Sequence, residues 1–312
     1  MKYKSQNCVL TIFIALFLTV LTTGCQPSQP VGKRVVKIAY LPITHALPVF
    51  EVKEELEASQ DDLQVELVKY GSWPELLDAL NTGRVDGASV LIELAMRAKE
   101  SGVDLKAVAL GHKDGNVLIS SAAISSAADM KGKTFAIPHR QSSHNILVNE
   151  ALAQGGLTSD NVNLVELSPP EMPSALASGQ IDGYCVAEPF GAKAAILEVG
   201  KPLLTSEELW EDSLCCGLVL NNAFITERGE DAAHFVKSYK AAGKNLTKER
   251  AKEIGKKYLK QDDKTLDVSL QWISYDELDI TPEIYAGLVE RVKKYGLSET
   301  PPSYEEFVKN DL

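Results

Sequence analysis

Four of the five histidines in the chain, His45, His112, His139 and His144, fall on predicted loops between apolar runs. Imidazole titrates near neutrality, so it either donates a proton to a bound anion or offers a neutral nitrogen to a metal. Zinc needs three or four such donors at roughly 2.0–2.2 Å, and Glu188 could join His45, His139 and His144 in that set. His139 and His144 straddle a loop–helix boundary, so spacing alone leaves the anion and the metal both open. Beyond Cys8 and Cys25 the cysteines are Cys185, Cys215 and Cys216, an odd number in strand-like apolar runs. That pattern predicts buried thiols, not a disulfide framework. No nucleophile elbow, phosphate loop or paired-carboxylate spacing is present, which points to binding without catalysis.

The elements that position these residues include a unit that occurs twice. Residues 72–90 and 168–186 align without a gap, with identities at Ser72/168, Pro74/170, Glu75/171, Ala79/175, Leu80/176, Gly83/179, Asp86/182, Gly87/183 and Val90/186. In each copy Ser and the Glu three residues later predict a capping box, and the Pro suits a first helical turn. A short helix should end at Gly83 or Gly179 and lead through Asp-Gly into a buried strand. Asp86 and Asp182 are expected to be turn residues, because they recur at the same structural place.

Around these units, residues 34–41, 63–70 and 105–110 predict strands, with helices opening near Pro48 and Glu93. Residues 111–129 lack any period and are read as a crossing into a second α/β lobe. There 133–137 and 162–167 predict strands, Ser142 or Ser143 caps a helix, and Pro189 suits the first position of a helix running to Gly200. Residues 214–220 cross back, 229–312 are largely helical, and 248–260 form a lysine-rich solvated segment. Alternating β and α elements predict mainly parallel sheets. Ligands then bind beyond the strand ends, where helix N-termini gather. Loops 42–45, 71–73, 89–92, 111–114, 138–144 and 187–190 should line that cleft.

The first 24 residues read as a leader: Lys2 and Lys4, an uncharged apolar run, then Thr-Thr-Gly before Cys25. The run is short for a membrane span of ~20 residues. Leu-Thr-Thr-Gly-Cys resembles the lipobox of bacterial lipoproteins, which implies cleavage before Cys25, lipidation of that thiol, and a tether over 25–32. The net charge of −11 becomes more negative once the leader is lost. No basic stripe remains to neutralise phosphates, so nucleic acid is not an expected partner.

The segments Y-L-P-I-T-H-A-L-P, G-x-V-D-G, I-P-H-R-Q-S-S-H-N-I-L and V-A-E-P-F-G-A-K-A resemble substrate-binding lipoproteins of ABC importers for nitrate, bicarbonate, sulfonates and taurine. That group also includes binders of thiamine-pyrimidine precursors. The resemblance implies a type II periplasmic-binding-protein fold, an α/β architecture of two doubly wound lobes joined by a two-strand hinge. Lobe one would hold 33–115 and 215–312, and lobe two 116–214. It implies an extracytoplasmic, lipid-anchored, monomeric receptor that closes on a small solute and serves a permease and its ATPase. The pocket residues carried over are Thr44, His45, Trp73, His139, Gln141, Ser142, His144 and Glu188. Trp73 could stack on or wall off the solute, His139 and Gln141 could donate to an anion, and Glu188 could cap a helix. No cofactor is expected, zinc through His45, His139, His144 and Glu188 being the alternative. A pyrimidine-forming enzyme on the same fold is a further alternative that Cys215-Cys216 invites, although two cysteines fall short of that enzyme's cysteine-rich motif.

Overall fold

The apolar runs separate into two five-stranded sheets, seen in a computed structural model that describes residues 33–211 and 213–312. The leader, Cys25 and the rest of the tether lie outside the described residues. The strands are β1 (Arg34–Tyr40), β2 (Leu63–Lys69), β3 (Gly87–Leu91), β4 (Leu105–Leu110), β5 (Lys113–Asp114) and β6 (Asn116–Ser120). They continue as β7 (Thr134–Ile137), β8 (Asn163–Glu166), β9 (Gly183–Ala187), β10 (Lys201–Thr205), β11 (Cys216–Asn221) and β12 (Ile273–Ser274). The first sheet has the order β2-β1-β3-β11-β4 and the second β10-β6-β9-β7-β8. In each, four strands run parallel and one strand arriving from the other sheet's side is inserted antiparallel: β11 in the first, β6 in the second. Among the described residues no helix is long and apolar enough to cross a membrane.

Six helices bear on the site: α1 (Leu47–Ala58), α2 (Trp73–Asn81), α3 (Ile92–Glu100), α4 (Ser143–Gln154), α5 (Met172–Ala177) and α6 (Phe190–Ile196). Both copies of the duplicated unit end their helix at a glycine of positive φ, Gly83 at 70° and Gly179 at 73°, where a Cβ would be strained. The following aspartates do the same job twice. Asp86 Oδ2 accepts the Lys37 N–H at 2.7 Å, and Asp182 Oδ2 accepts the Thr134 N–H at 2.9 Å. Each carboxylate thereby ties its turn to the neighbouring parallel strand, in the middle of β1 in the first sheet and at the first residue of β7 in the second. The next residue must be glycine: a Cβ on Gly87 would sit 2.7 Å from the Val219 carbonyl, and one on Gly183 2.5 Å from that of Ile119.

Four expectations change. The capping box forms only in the second copy, where a 3-10 turn over Pro169–Glu171 brings Glu171 back onto Ser168; Ser72 makes no side-chain cap bond, because α2 begins directly at Trp73. Residues 111–121 contain β5 and β6. All five residues of β6 are buried, and a strand covered on both faces shows no alternation. Pro189 is the N-cap of α6, joined to Glu188 by a cis peptide, and α6 stops at Ile196. The lysine-rich segment is only partly solvated: Ala251, Ile254 and Leu259 are buried, and Tyr258 stacks on Phe50 of α1 with ring centroids 4.6 Å apart.

Candidate functional site

Where β1, β4 and β11 meet the second sheet's β6 and α4, the structure gathers titratable side chains and seals them from water. His45, on the 3-10 turn Thr44–Ala46 after β1, is fully buried. Its Nε2 lies 3.1 Å from the Gly115 carbonyl and its Nδ1 3.6 Å from Cys215 Sγ. His112, just past β4, stacks on His45 with ring centroids 3.5 Å apart. The His112 Nε2 accepts the Cys216 N–H at 3.4 Å, and its Nδ1 has no partner. Cys215 Sγ stands 3.9 Å from Cys216 Sγ and 3.7 Å from Asn116 Oδ1. The donor atoms of His45, His112, Cys215 and Cys216 all lie within 4.8 Å of one another.

Around this group are polar atoms that nothing satisfies. Both carboxylate oxygens of Glu93, both ring nitrogens of His144, Asn116 Nδ2, Ser143 Oγ and Glu188 Oε1 are buried without a hydrogen-bond partner. Native interiors leave few such groups, and here they crowd one place.

The electrostatics follow from this crowding. Burial pushes His112 and His144 down to about 4, with neighbouring His45 adding to the effect in each. Burial drives Glu93 well above the carboxylate range, and Cys215 reinforces it. Burial would also raise the Cys215 thiol, but the Cys216 hydrogen bond and His144, His45 and His112 outweigh it and hold Cys215 well below its ordinary value. Cys216 is correspondingly raised, by burial and by Cys215.

The residues singled out from sequence divide between this cluster and its entrance. His45 is one of the four converging donors; His144 is not, but it stands near enough to act on Cys215 electrostatically. Thr44 binds backbone, donating its N–H and Oγ1 to the Glu188 carbonyl at 2.9 and 3.0 Å. Glu188 Oε2 accepts the Ala192 N–H of α6 at 2.8 Å and the Ser269 hydroxyl at 3.4 Å, and burial raises its carboxyl to about 7. Ser142 caps α4, its Oγ accepting the Asn145 N–H at 3.3 Å and donating to the His139 carbonyl at 2.5 Å. His139 Nδ1 accepts the Gln141 N–H at 3.0 Å, so His139 braces its own loop away from the four converging donors. His139 and the buried Trp73 instead line a groove of about 280 Å³ with Pro74, Pro138, Glu166 and Pro169, where the two duplicated units begin. Gln141 lies beside Glu93, Arg97 and Val292. The donor set read from sequence therefore shares only His45 with the set the fold brings together. The sequence puts His112 on a cleft loop and predicts buried thiols at Cys215 and Cys216, which are buried here; the adjacent pair of cysteines is the signal that could have marked them as donors.

The chain has the periplasmic-binding-protein fold, shared with solved structures such as the nitrate-binding protein NrtA of Synechocystis (18% identical, TM-score 0.74, covering 89% of this chain and 86% of that one). Residues 29–259 match the NMT1-like family, and the chain belongs to that family. It is similar to the ligand-binding component of an ABC-type import system from Staphylococcus aureus, solved with zinc bound: 39% identical, TM-score 0.85, covering 88% of this chain and 96% of that one. It is also 30% identical over 187 residues to the taurine-binding periplasmic protein of Escherichia coli, covering 58% of this chain and 57% of that one. The match to the nitrate/nitrite binding protein NrtA of Nostoc is 29% identical over 201 residues, 56% of this chain. The chain spans about half or less of the first such relatives, 46% of that NrtA and 29% of the Synechocystis protein NrtC.

Proposed function

We propose that this chain is the solute-binding component of an ABC importer. It is held outside the cell by a lipid on Cys25, captures a small solute between two lobes, and delivers it to the permease and its ATPase. Lobe one comprises 33–115 and 215–312, lobe two 116–214, and the two connections near 111–121 and 213–221 serve as the hinge. The observation that carries this reading is the set of unpartnered polar atoms on Glu93, His112, Asn116, Ser143, His144 and Glu188, sunk where the two sheets meet. A ligand would satisfy them, and two sheets joined by two connections can part to admit it.

The relatives' names point to small anions such as nitrate, sulfonates and taurine, and a groove of about 280 Å³ lies beside Trp73 and His139. A second reading of the solute, a transition metal, is favoured by the convergence of His45, His112, Cys215 and Cys216 and by the zinc in the S. aureus relative.

The test is thermal shift and native mass spectrometry against nitrate, bicarbonate, taurine, alkanesulfonates, pyrimidines and Zn²⁺. A solute at a hundredfold excess over its Kd should stabilise the chain by about 2.7 kcal/mol. A melting point that no solute moves overturns the receptor reading. For the anchor, Cys25→Ser should release the chain from the membrane fraction, and retention would remove the lipid from the account.

A further inference from the structure

We propose that the captured solute is a thiophilic transition-metal ion held by His45, His112, Cys215 and Cys216, and that His144 is the donor through which that ion draws the lobes shut. This rests on the receptor reading and names its solute class. Zn–S bonds of about 2.3 Å and Zn–N bonds of about 2.0–2.1 Å set neighbouring donors of a tetrahedron roughly 3.4–3.8 Å apart. Cys215 Sγ is 3.6 Å from His45 Nδ1 and 3.9 Å from Cys216 Sγ, so two edges of the cluster are already near that length, and all four donors lie within 4.8 Å of one another.

The imidazoles are also oriented for it. A metal-ligating histidine commonly donates its other N–H to a carbonyl, and His45 Nε2 has the Gly115 carbonyl at 3.1 Å, leaving Nδ1 turned inward. On His112 it is Nε2 that faces the cysteines, 3.4 Å from the Cys216 nitrogen, so Nε2 is the nitrogen that would take the ion in place of that N–H, with the proton on Nδ1. Thiolate and imidazole together suit zinc or monovalent copper. Binding needs no redox partner: each thiol that coordinates releases its proton to solvent as the metal–sulfur bond forms. The surroundings favour a cation. Among the described residues no Lys or Arg is buried to countercharge an anion, whereas the carboxyl groups of Glu93 and Glu188 can give up their protons beside a cation.

A ligand shifts a conformational equilibrium only through contacts that differ between the two states. The four donors border the first sheet, at the exits of β1 and β4 and the start of β11. An ion held by them alone would leave closure unchanged. His144 belongs to the first turn of α4 on the side of the second sheet, is fully buried, and has both nitrogens unpartnered. Stranding an imidazole this way destabilises the closed form unless something binds it, and zinc expands to a fifth donor.

The full-length chain in detergent, stripped with EDTA, is titrated with Zn²⁺, with Cu⁺ under anaerobic reducing conditions, and separately with nitrate and taurine. Metal content, thiol reactivity and hydrogen exchange over residues 143–147 are followed. The expected result is one ion per chain, loss of thiol reactivity, and added protection at 143–147. Cys215→Ser should weaken binding roughly 100-fold or more, with Cys216→Ser and His112→Ala made in parallel in case one variant fails to fold. His144→Ala should still take up one ion, about tenfold more weakly, with no added protection. Wild-type protection in His144→Ala overturns the latch. Protection by nitrate or taurine with no metal bound overturns the metal while leaving the receptor, and protection by no solute overturns the receptor reading itself.

Discussion

Thr44 and Glu188, 144 residues apart in sequence, are joined by two hydrogen bonds to one carbonyl: the Thr44 N–H donates at 2.9 Å and its Oγ1 at 3.0 Å. The pair spans the junction between the exit of β1 in the first sheet and the exit of β9 in the second. If the sheets part to admit solute, this bond pair is among the contacts that must break and re-form.

Thr44→Val keeps the side chain's shape and the N–H bond but removes the hydroxyl donor. With one bond of about 1 kcal/mol lost from the closed form, solute affinity should drop about fivefold, chiefly through faster release. Calorimetry and stopped-flow dissociation measure it. Unchanged affinity with a lowered urea midpoint would make the bond a packing feature with no part in closure.

The duplicated aspartates predict matched effects. Asp86→Ala and Asp182→Ala each free one strand N–H, Lys37 in one sheet and Thr134 in the other. Both sites are partly exposed, so each substitution should cost about 1 kcal/mol. Being far apart, the two should add, as urea unfolding of the double variant can show. A large effect in only one sheet would argue that the two units no longer play equivalent parts.

Much of the framework was legible because it is local. The strands at 34–40, 63–69 and 105–110 carry their own apolar pattern, and the Gly83 and Gly179 stops need only a positive φ. The donor cluster was not legible, because it depends on where one strand is inserted. Once β11 enters antiparallel between β3 and β4, Cys216 pairs with Leu91 and Gly217 with Leu110, which brings the cysteines beside His112. Nothing around Cys215 records that pairing. Its apolar neighbours read as an ordinary buried strand, and His45 lies 170 residues away. His139 shows the other limit of a loop position: it does not tell that Nδ1 is engaged by the loop's own backbone while the residue lines the groove with Trp73.

Acid should act partly through Asp61. The Leu63 N–H at 2.8 Å, opposed by burial and aided by His234 at 2.9 Å, holds this carboxyl below its ordinary value of 3.8. A depressed carboxylate contributes stability above its unfolded pKa and loses it as the pH falls through the folded one. Asp61→Asn should therefore flatten the acid limb of stability below about pH 4. Because the site is partly exposed, the difference at neutral pH should be only about 0.5–1 kcal/mol. Urea titrations from pH 2 to 7 test this, and parallel acid limbs for the two chains would contradict it.

Glu93 gives the sharpest separation of function from stability. It stands on α3 with both carboxylate oxygens buried and unpartnered, and burial has driven it toward the neutral acid. A side chain kept for folding should destabilise the chain when replaced. One kept for a solute should do the reverse, because an apolar group of similar volume removes an unsatisfied polar burial. Glu93→Met is therefore expected to raise the stability of the unliganded chain by about 1–3 kcal/mol and to weaken solute capture, whether the solute is an ion or a small molecule. Differential scanning calorimetry of the stripped chain reads the first effect and titration the second. A fall in melting temperature would assign Glu93 to the scaffold and leave its buried carboxyl group without a functional reason.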